Sequence, residues 1–154
     1  MQEIEIFCDG SSLGNPGPGG YAAILRYKDK EKVISGGESF TTNNRMELKA
    51  LNEALKILKR PCRITLYSDS QYVCQAINVW LANWQKKNFS KVKNVDLWKE
   101  FLEVSKVHLI MAVWIKGHNG HAENERCDSL AKIEAQKRVK TTKGKNDEKQ
   151  TLSK

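Results

Sequence analysis

The amino-acid sequence predicts an α/β fold: a mixed five-stranded sheet, with three antiparallel strands followed by parallel ones, flanked by helices. Two observations predict it. Residues 3–40 alternate apolar and polar side chains in three short runs, as antiparallel strands do. The later strand-like runs are separated by helical patterns, and such helical crossovers join parallel neighbours. A chain of 154 residues without internal repeats is the length of one domain.

The individual elements follow from local patterns. Alternating β-rich runs predict strands at residues 3–9, 21–27 and 32–40, and the glycine- and proline-rich residues 11–20 predict a tight turn after the first strand. Leucine and alanine spaced by three and four predict a helix at residues 45–58. Similar patterns predict the remaining elements: a strand at 64–67, helices at 72–77, 80–87 and 95–104, a strand at 108–115 and a helix at 122–138.

Composition limits the possible partners and locations. Hydrophobic residues make up 40% of the chain and charged residues 29%, as in soluble globular domains. The net charge of +8 favours nucleic acid as the partner, with acidic membrane surfaces as the second choice. The apolar run 109–115 is too short to span a bilayer, and the N-terminus lacks a signal-peptide pattern. We therefore expect a cytoplasmic monomer without a membrane partner.

The chain divides into two parts. Residues 1–140 contain all of the predicted elements and form the predicted folded domain. Residues 141–154 are polar and carry four lysines against Asp147 and Glu148. Such a segment buries too little apolar surface to fold by itself, so it predicts a basic, disordered C-terminal tail.

Two kinds of site are disfavoured. The four cysteines have no CxxC spacing, which argues against a zinc ribbon or a disulfide framework; for Cys8, which alternates with Ile4 and Ile6, we expect a buried reduced thiol. The stretch from Gly17 to Ala22 loosely matches the glycine pattern of dinucleotide-binding proteins. That pattern requires a helix directly after it, and the residues that follow predict a strand instead.

Four carboxylates are the candidate functional residues. Asp9, Glu47, Asp69 and Asp128 stand at element ends or beside apolar residues. At about 4 Å, two like charges repel by roughly 4 kcal/mol at an effective dielectric of about 20, and divalent cations reverse that repulsion. An acidic cluster on a basic protein therefore predicts metal-assisted chemistry on a polyanion.

Each carboxylate also has a structural interpretation. Asp9 can end the first strand, and Asp69 can cap the helix that follows it. Glu47 can serve as a capping-box partner of Asn44. For Asp128, in line with Ala131 and Ala135, we expect a buried position without a basic partner four residues away.

Six motifs resemble those of the type 1 ribonuclease H family, in its bacterial branch. They extend in family order from the first strand to the last helix. The motifs are IFCDGS (6–11), GNPGPGGY (14–21), TTNNRMEL (41–48), SDSQYV (68–73), KNVDLW (93–98) and GHNGHAENERCD (117–128). The resemblance implies a ribonuclease H-like fold, with residues 1–140 as the catalytic domain.

The resemblance also implies an activity and a set of catalytic residues. It implies an endonuclease that cuts the RNA strand of RNA–DNA hybrids with two Mg²⁺ ions, for which Mn²⁺ can substitute, and leaves 5′-phosphate and 3′-hydroxyl ends. Asp9, Glu47, Asp69 and Asp128 match the metal-binding catalytic set, and hard cations prefer such oxygen ligands. His118 matches a loop histidine that assists proton transfer or product release. Glu125 matches a position near the second metal.

The resemblance further implies the contacts to the hybrid. The polar set that contacts it comprises Gly10, Ser12, Asn15, Asn43, Asn44 and Gln71, and Thr42 with Asn15 matches a pocket for a DNA-strand phosphate. Trp80, Lys86 and Lys87 match a basic protrusion. Two departures concern affinity: the connector after Trp84 is short, and Ser12 stands where the family often has cysteine.

Two alternatives stay open at this point. One is a module that binds RNA–DNA hybrids without cutting them, which the four carboxylates disfavour. The other is a nuclease on the same fold that cuts DNA junctions or duplexes, which the asparagine-rich set disfavours because it suits a 2′-hydroxyl. The fold alone cannot separate these activities.

Overall fold

The computed structural model describes the backbone of residues 1–116 and 121–152, and side chains within these ranges up to Val139. A single five-stranded sheet in the order β3-β2-β1-β4-β5 forms its centre. Its strands are β1 (Gln2–Ser12), β2 (Gly17–Tyr27), β3 (Lys30–Thr41), β4 (Cys62–Ser68) and β5 (Leu109–Trp114).

The strand directions are those that the sequence predicts. β1 pairs antiparallel with β2, and β2 with β3, so the first three strands form a meander. β1 pairs parallel with β4, and β4 with β5. Helices join the parallel neighbours, because parallel strands need a crossover connection that is much longer than a hairpin turn. The predicted mixed α/β sheet is therefore confirmed.

Helices lie on both faces of this sheet. α1 packs against β1 and β2, and α4 packs against α1, while α5 packs against β2, β1 and β3. Leu48, Leu51 and Leu55 of α1 belong to the main core, whereas Cys127 of α5 belongs to a smaller cluster with Phe7. The helices are α1 (Asn43–Lys56), α2 (Gln71–Gln75), α3 (Leu81–Lys86), α4 (Val95–Ser105) and α5 (Ala122–Leu152), with a π-helical turn at Ala76–Trp80.

Several boundaries differ from the prediction. The first hairpin is longer, because paired backbone continues through the polar residues to Ser12. α1 begins at Asn43, and its N-cap is Thr42, whose hydroxyl accepts from the backbone N–H of Arg45. The two predicted helices around residue 79 are joined by the π-helical turn. α5 continues to Leu152 instead of ending near Arg138; the domain boundary at residue 140 and the disorder of the tail stay predictions.

Two further expectations can be compared with the structure. All four cysteines are free and buried, so the expectation for Cys8 is confirmed. Within residues 1–116 and 121–152, no helix has both the length and the apolar character needed to cross a membrane.

Candidate active site

Three of the predicted carboxylates meet at the ends of the central strands. Asp9 lies on β1, Glu47 in the first turns of α1 and Asp69 directly after β4. One oxygen of each lies within 4.8 Å of the others. Asp9 and Glu47 are buried, with 5% and 8% of their surface exposed, and Asp69 is exposed. The cluster is therefore buried at Asp9 and Glu47 and open to solvent at Asp69.

Gly10 permits this meeting. The backbone of Met46 and Glu47 lies directly against its Cα, and a Cβ there would come 2.7 Å from the Cβ of Met46. Any larger residue would push the start of α1 away from β1. The glycine after Asp9 thus brings Glu47 next to the strand carboxylate, and the Gly10 N–H donates to Asp9 Oδ1 at 2.9 Å.

The surroundings make both buried carboxylates hard to ionise. The pKa of Asp9 is raised to about 7, mainly by burial; a hydrogen bond with Glu47 lowers it, and repulsion by Asp69 and the interaction with Asp128 contribute to the rise. Burial, followed by the charge of Asp9, raises the pKa of Glu47 well above its ordinary value. Bound cations would favour the ionised forms of both groups.

The structural interpretations of these acids are not supported. β1 continues past Asp9 to Ser12, so Asp9 does not end the strand. Glu47 is not the capping-box partner of Asn44, since the N-cap is Thr42. Ser70, not Asp69, caps α2 by accepting from the Val73 N–H.

A divalent cation fits this cluster. Glu47 Oε2 is buried and has no hydrogen-bond partner among the described residues. An orphaned buried carboxylate oxygen is costly unless a cation or proton satisfies it. Three carboxylates offer the hard oxygen ligands that Mg²⁺ and Mn²⁺ prefer, and they offer no thiolate or imidazole for zinc.

Asp128 differs from expectation in two ways. It is half-buried rather than buried, and its Oδ2 lies 2.9 Å from Nζ of Lys132, one helical turn later. The expectation that it lacks a basic partner is therefore wrong, and the spacing of four was visible in the sequence. Asp128 is near enough to contribute to the raised pKa of Asp9, but it stands outside the three-carboxylate cluster.

Trp114 is a neighbour of the site that the sequence did not reveal. Its indole N–H donates to the backbone carbonyl of Asp69 at 3.1 Å, and the next N–H, of Ile115, donates to the carbonyl of Ser68 at 2.9 Å. β5 therefore holds the end of β4 at the point where Asp69 leaves the strand. Only the β4–β5 register, which is a long-range property, could have indicated this contact.

The predicted substrate-binding residues fall into two groups. Ser12, Asn15 and Asn43 form one connected cluster: Asn43 Oδ1 accepts from Ser12 N–H at 2.7 Å, and Asn15 Oδ1 accepts from Asn43 N–H at 3.1 Å. Gly10, Thr42 and the exposed Asn44 adjoin this cluster at the start of α1, and the exposed Gln71 begins α2.

The second group lies on the basic protrusion. Trp80 is 39% exposed, and Lys86 and Lys87 are exposed. Trp84 is half-buried and packs edge-on against Trp98 with ring centroids 5.6 Å apart, so Trp80 is the more exposed of the two tryptophans. His118 lies outside the described residues. Glu125 is exposed in the first turn of α5.

Comparison with known proteins agrees with this architecture. The RNase H family model matches residues 1–136. Ribonuclease HI of Helicobacter pylori (strain ATCC 700392 / 26695) is 95% identical over 142 residues, which cover 92% of this chain and 99% of that protein. Ribonuclease H of Campylobacter concisus (strain 13826) is 59% identical over 137 residues, which cover 89% and 95% of the two chains.

Solved structures show the same fold. LC9-RNase H1, described as a type 1 RNase H with the type 2 active-site motif, superposes with a TM-score of 0.82 at 26% identity, covering 90% of this chain and 74% of that one. LC11-RNase H1 in complex with RNA/DNA hybrid gives a TM-score of 0.61 at 21% identity, covering 88% and 99%.

Fold and motifs thus define one class of protein, the α/β proteins with the ribonuclease H architecture. The chain belongs to the ribonuclease H family, in its bacterial type 1 branch.

Proposed function

We propose that this protein is an endonuclease that hydrolyses the RNA strand of RNA–DNA hybrids with two Mg²⁺ ions, for which Mn²⁺ can substitute. The observation that carries the proposal is the cluster of Asp9, Glu47 and Asp69 within 4.8 Å at the end of a ribonuclease H sheet. Asp9, Glu47, Asp69 and Asp128 would hold the ions. When bound, the two metal ions supply an activated water and stabilise the leaving oxygen.

The residues of the chain prepare the site for this hydrolysis. The oxygen of water bonds to phosphorus as the bond from phosphorus to O3′ breaks, which leaves a 5′-phosphate on one product and a protonated 3′-hydroxyl on the other. Glu47 and Asp9 are held rigidly by α1 and β1, so the ligands need little reorganisation. We assign His118 to proton transfer or product release, as the family resemblance implies.

The polar cluster at the start of α1 would select the RNA strand. Short amide and hydroxyl groups can both donate to and accept from a 2′-hydroxyl, which is the group that DNA lacks. Ser12, Asn15, Asn43, Asn44 and Gln71 would contact the hybrid backbone together with Gly10. Thr42 with Asn15 would bind a DNA-strand phosphate, while Trp80, Lys86 and Lys87 would contact the DNA strand.

The proposal includes the setting of the enzyme. We propose that it acts as a cytoplasmic monomer on hybrid duplexes, with residues 1–140 as the catalytic domain. A hybrid-binding module without activity would have no use for two buried carboxylates with raised pKa values, so the enzyme is the better account.

Cleavage of a labelled RNA–DNA hybrid tests the proposal. We expect cutting confined to the RNA strand in Mg²⁺, abolished by EDTA, with no cutting of all-RNA or all-DNA duplexes. The product ends are identified with a 3′-labelled RNA strand, whose labelled product should change mobility when a phosphatase removes its new 5′-phosphate. Tight hybrid binding without cutting would contradict the enzyme, and cutting of duplex DNA would favour the other nuclease.

A further inference from the structure

The basic protrusion, defined here as residues 76–94, is held at its C-terminal end by side-chain contacts. Asn94 Nδ2 donates to the hydroxyl of Tyr72 at 3.1 Å, and Arg45 Nη1 donates to Asn94 Oδ1 at 3.3 Å. Arg45 also forms a two-bond ion pair with Asp96 at 2.7 and 3.0 Å. This end is therefore anchored to α1 and α2 of the main body.

At the N-terminal end of the protrusion, where Ala76 is buried in the main core, one amide side chain also binds the sheet. Asn78 Nδ2 donates to the carbonyl oxygen of Ala112 at 2.8 Å, and the Ala112 N–H donates to Asn78 Oδ1 at 3.2 Å. Ala112 is buried in β5, the last strand of the sheet, where it stands opposite Leu66. Asn78 thus binds the outer edge of β5 as the backbone of a further strand would.

The two bonds require an amide. A carboxamide offers one donor and one acceptor side by side, which matches the N–H and C=O of a single strand residue. Aspartate would accept from the N–H but would face the carbonyl oxygen with another acceptor. A hydroxyl cannot span both groups. The residue type at position 78 is therefore specific for this contact.

The backbone transmits this contact to the aromatic residue beside it. Asn78 and Trp80 lie in the same π-helical turn, Ala76–Trp80, which runs directly into α3. Such turns are rare and are often found at functional sites. Because two residues of one helical turn move together, fixing Asn78 on β5 also fixes the direction of Trp80 and of α3, which carries Lys86.

We propose that Asn78 is a positioning residue that fixes the N-terminal end of the basic protrusion on β5 in the orientation needed to bind the hybrid. This inference rests on the proposed function, because the hybrid is the ligand. The amide of Asn78 binds the strand and does not belong to the carboxylate cluster. Its loss should therefore weaken hybrid binding and leave the chemical step intact.

Asn78→Ala and Asn78→Asp test this role, with Asn83→Ala as the matched control. Asn83 is also an exposed asparagine of the protrusion, and no hydrogen bond of its side chain is found within the described structure. Dissociation constants for a labelled hybrid are measured by fluorescence anisotropy in EDTA, and kcat and KM are measured in Mg²⁺. Two lost hydrogen bonds predict binding weaker by about 3–10-fold, kcat within about twofold of wild type, and no change for Asn83→Ala.

Amide hydrogen exchange supplies a readout that does not depend on nucleic acid. Asn78→Ala removes Oδ1 and exposes the Ala112 N–H, so this amide should exchange faster in that variant, with Leu66 on the inner strand unchanged. Asn78→Asp keeps the acceptor and should leave the exchange of Ala112 near wild type. If Asn78→Ala does not fold, Asn78→Asp, which keeps one bond, provides the binding measurement.

Three outcomes overturn the inference. They are unchanged hybrid affinity in a folded Asn78 variant, a loss of kcat as large as the loss of affinity, and unchanged exchange at Ala112 in Asn78→Ala. Failure of the wild-type protein to cut the hybrid would instead overturn the proposed function. The wild-type cleavage assay, run first, keeps the two failures distinguishable.

Discussion

Asp9 and Glu47 are two carboxylates that the fold buries together, so their stability contribution depends on pH. Both pKa values are raised in the folded chain, that of Asp9 from 3.8 to about 7. A raised acid pKa means that the folded state binds protons more tightly than the unfolded state. The metal-free protein is therefore favoured below the unfolded value and loses stability as pH rises through about 7.

Asp9→Asn should separate stability from activity. The amide cannot ionise, so at pH 8 without metal the variant should melt several degrees above wild type, and the difference should shrink at pH 5. One pKa unit corresponds to about 1.4 kcal/mol, and each kcal/mol shifts the melting temperature of a domain this size by about 2–4 °C. Hybrid cleavage should fall by roughly 10³-fold or more, because a metal ligand is lost.

Thermal melts at the two pH values and single-turnover cleavage measure both effects. Asp29→Asn, in the exposed turn between β2 and β3, is the control and should change neither. Retained cleavage by Asp9→Asn would remove Asp9 from the site, and an equal melting shift at both pH values would contradict the raised pKa.

Single residues differ in how far the sequence predicts them. The carboxylates were predicted because each stands in a motif that resembles those of the ribonuclease H family. The partner of Asp128 was missed although Lys132 stands one helical turn away. Trp114 and Asn78 were missed for a physical reason: their partners Asp69 and Ala112 lie more than thirty residues away. The β4–β5 register brings Trp114 to Asp69, and the packing of the π-helical turn on β5 brings Asn78 to Ala112.

At the scale of elements, α5 lies directly on β2 at Gly20. The carbonyl of Ala131 lies against the Cα of Gly20, and a Cβ there would come 2.6 Å from the backbone nitrogen of Ala135. The small residues Ala131 and Ala135 of α5 thus allow a close contact between this helix and the sheet, and they do not mark a ligand site. This contact sets the height of α5 above the sheet, and hence the distance of Asp128 from β1.

Gly20→Ala should destabilise the protein by displacing α5. Overpacking in a closely packed site costs about 1–3 kcal/mol, and here the neighbours are backbone atoms that cannot rotate away. We expect a lower midpoint in urea unfolding with an unchanged slope. Ser129→Ala, exposed on α5, is the control and should stay near wild type. A wild-type midpoint for Gly20→Ala would show that α5 has room to move.

Element types were easier to predict than element ends. Strong periodicity identified α1 and the three N-terminal strands, but the first hairpin continues through Gly10 and Ser12, where side chains carry no strand signal. Backbone pairing with β2 extends it. The sequence predicts a break between helices at residues 78–79, where the structure has the π-helical turn Ala76–Trp80, because such a turn has no simple periodicity of its own.

At the scale of the whole molecule, charge is unevenly distributed. Residues 71–95 contain four lysines and no acidic residue, whereas the carboxylate cluster lies at the ends of the central strands. Exposed lysines that neutralise phosphates release counterions, so binding of a duplex should weaken steeply with salt. The acidic cluster alone would repel the same duplex without its cations.

Replacing Lys86 and Lys87 together by glutamine should reduce the salt dependence of hybrid binding. Each lost phosphate contact lowers the magnitude of the slope of log affinity against log salt by about 0.7–0.9, so the double variant should lose roughly 1.4–1.8. The control replaces Lys30 and Lys59, which are exposed at the opposite end of the sheet, and carries the same net charge. Equal slopes for the two variants would show that the protrusion does not touch phosphates.

The side-chain carboxamide of Asn78, which binds the backbone of Ala112, also limits how the protein can associate. β5 is an edge strand, and its side chains Leu109 and Met111 are 54% and 59% exposed, a combination that invites strand addition and aggregation. An incoming strand would need the N–H and C=O of Ala112, and Asn78 already binds both. The opposite edge, β3, begins with the charged residues Lys30, Glu31 and Lys32. Addition of a sixth strand is thus disfavoured at both edges of the sheet. At β5 the Asn78 carboxamide already occupies the backbone groups, and at β3 the charged side chains oppose pairing.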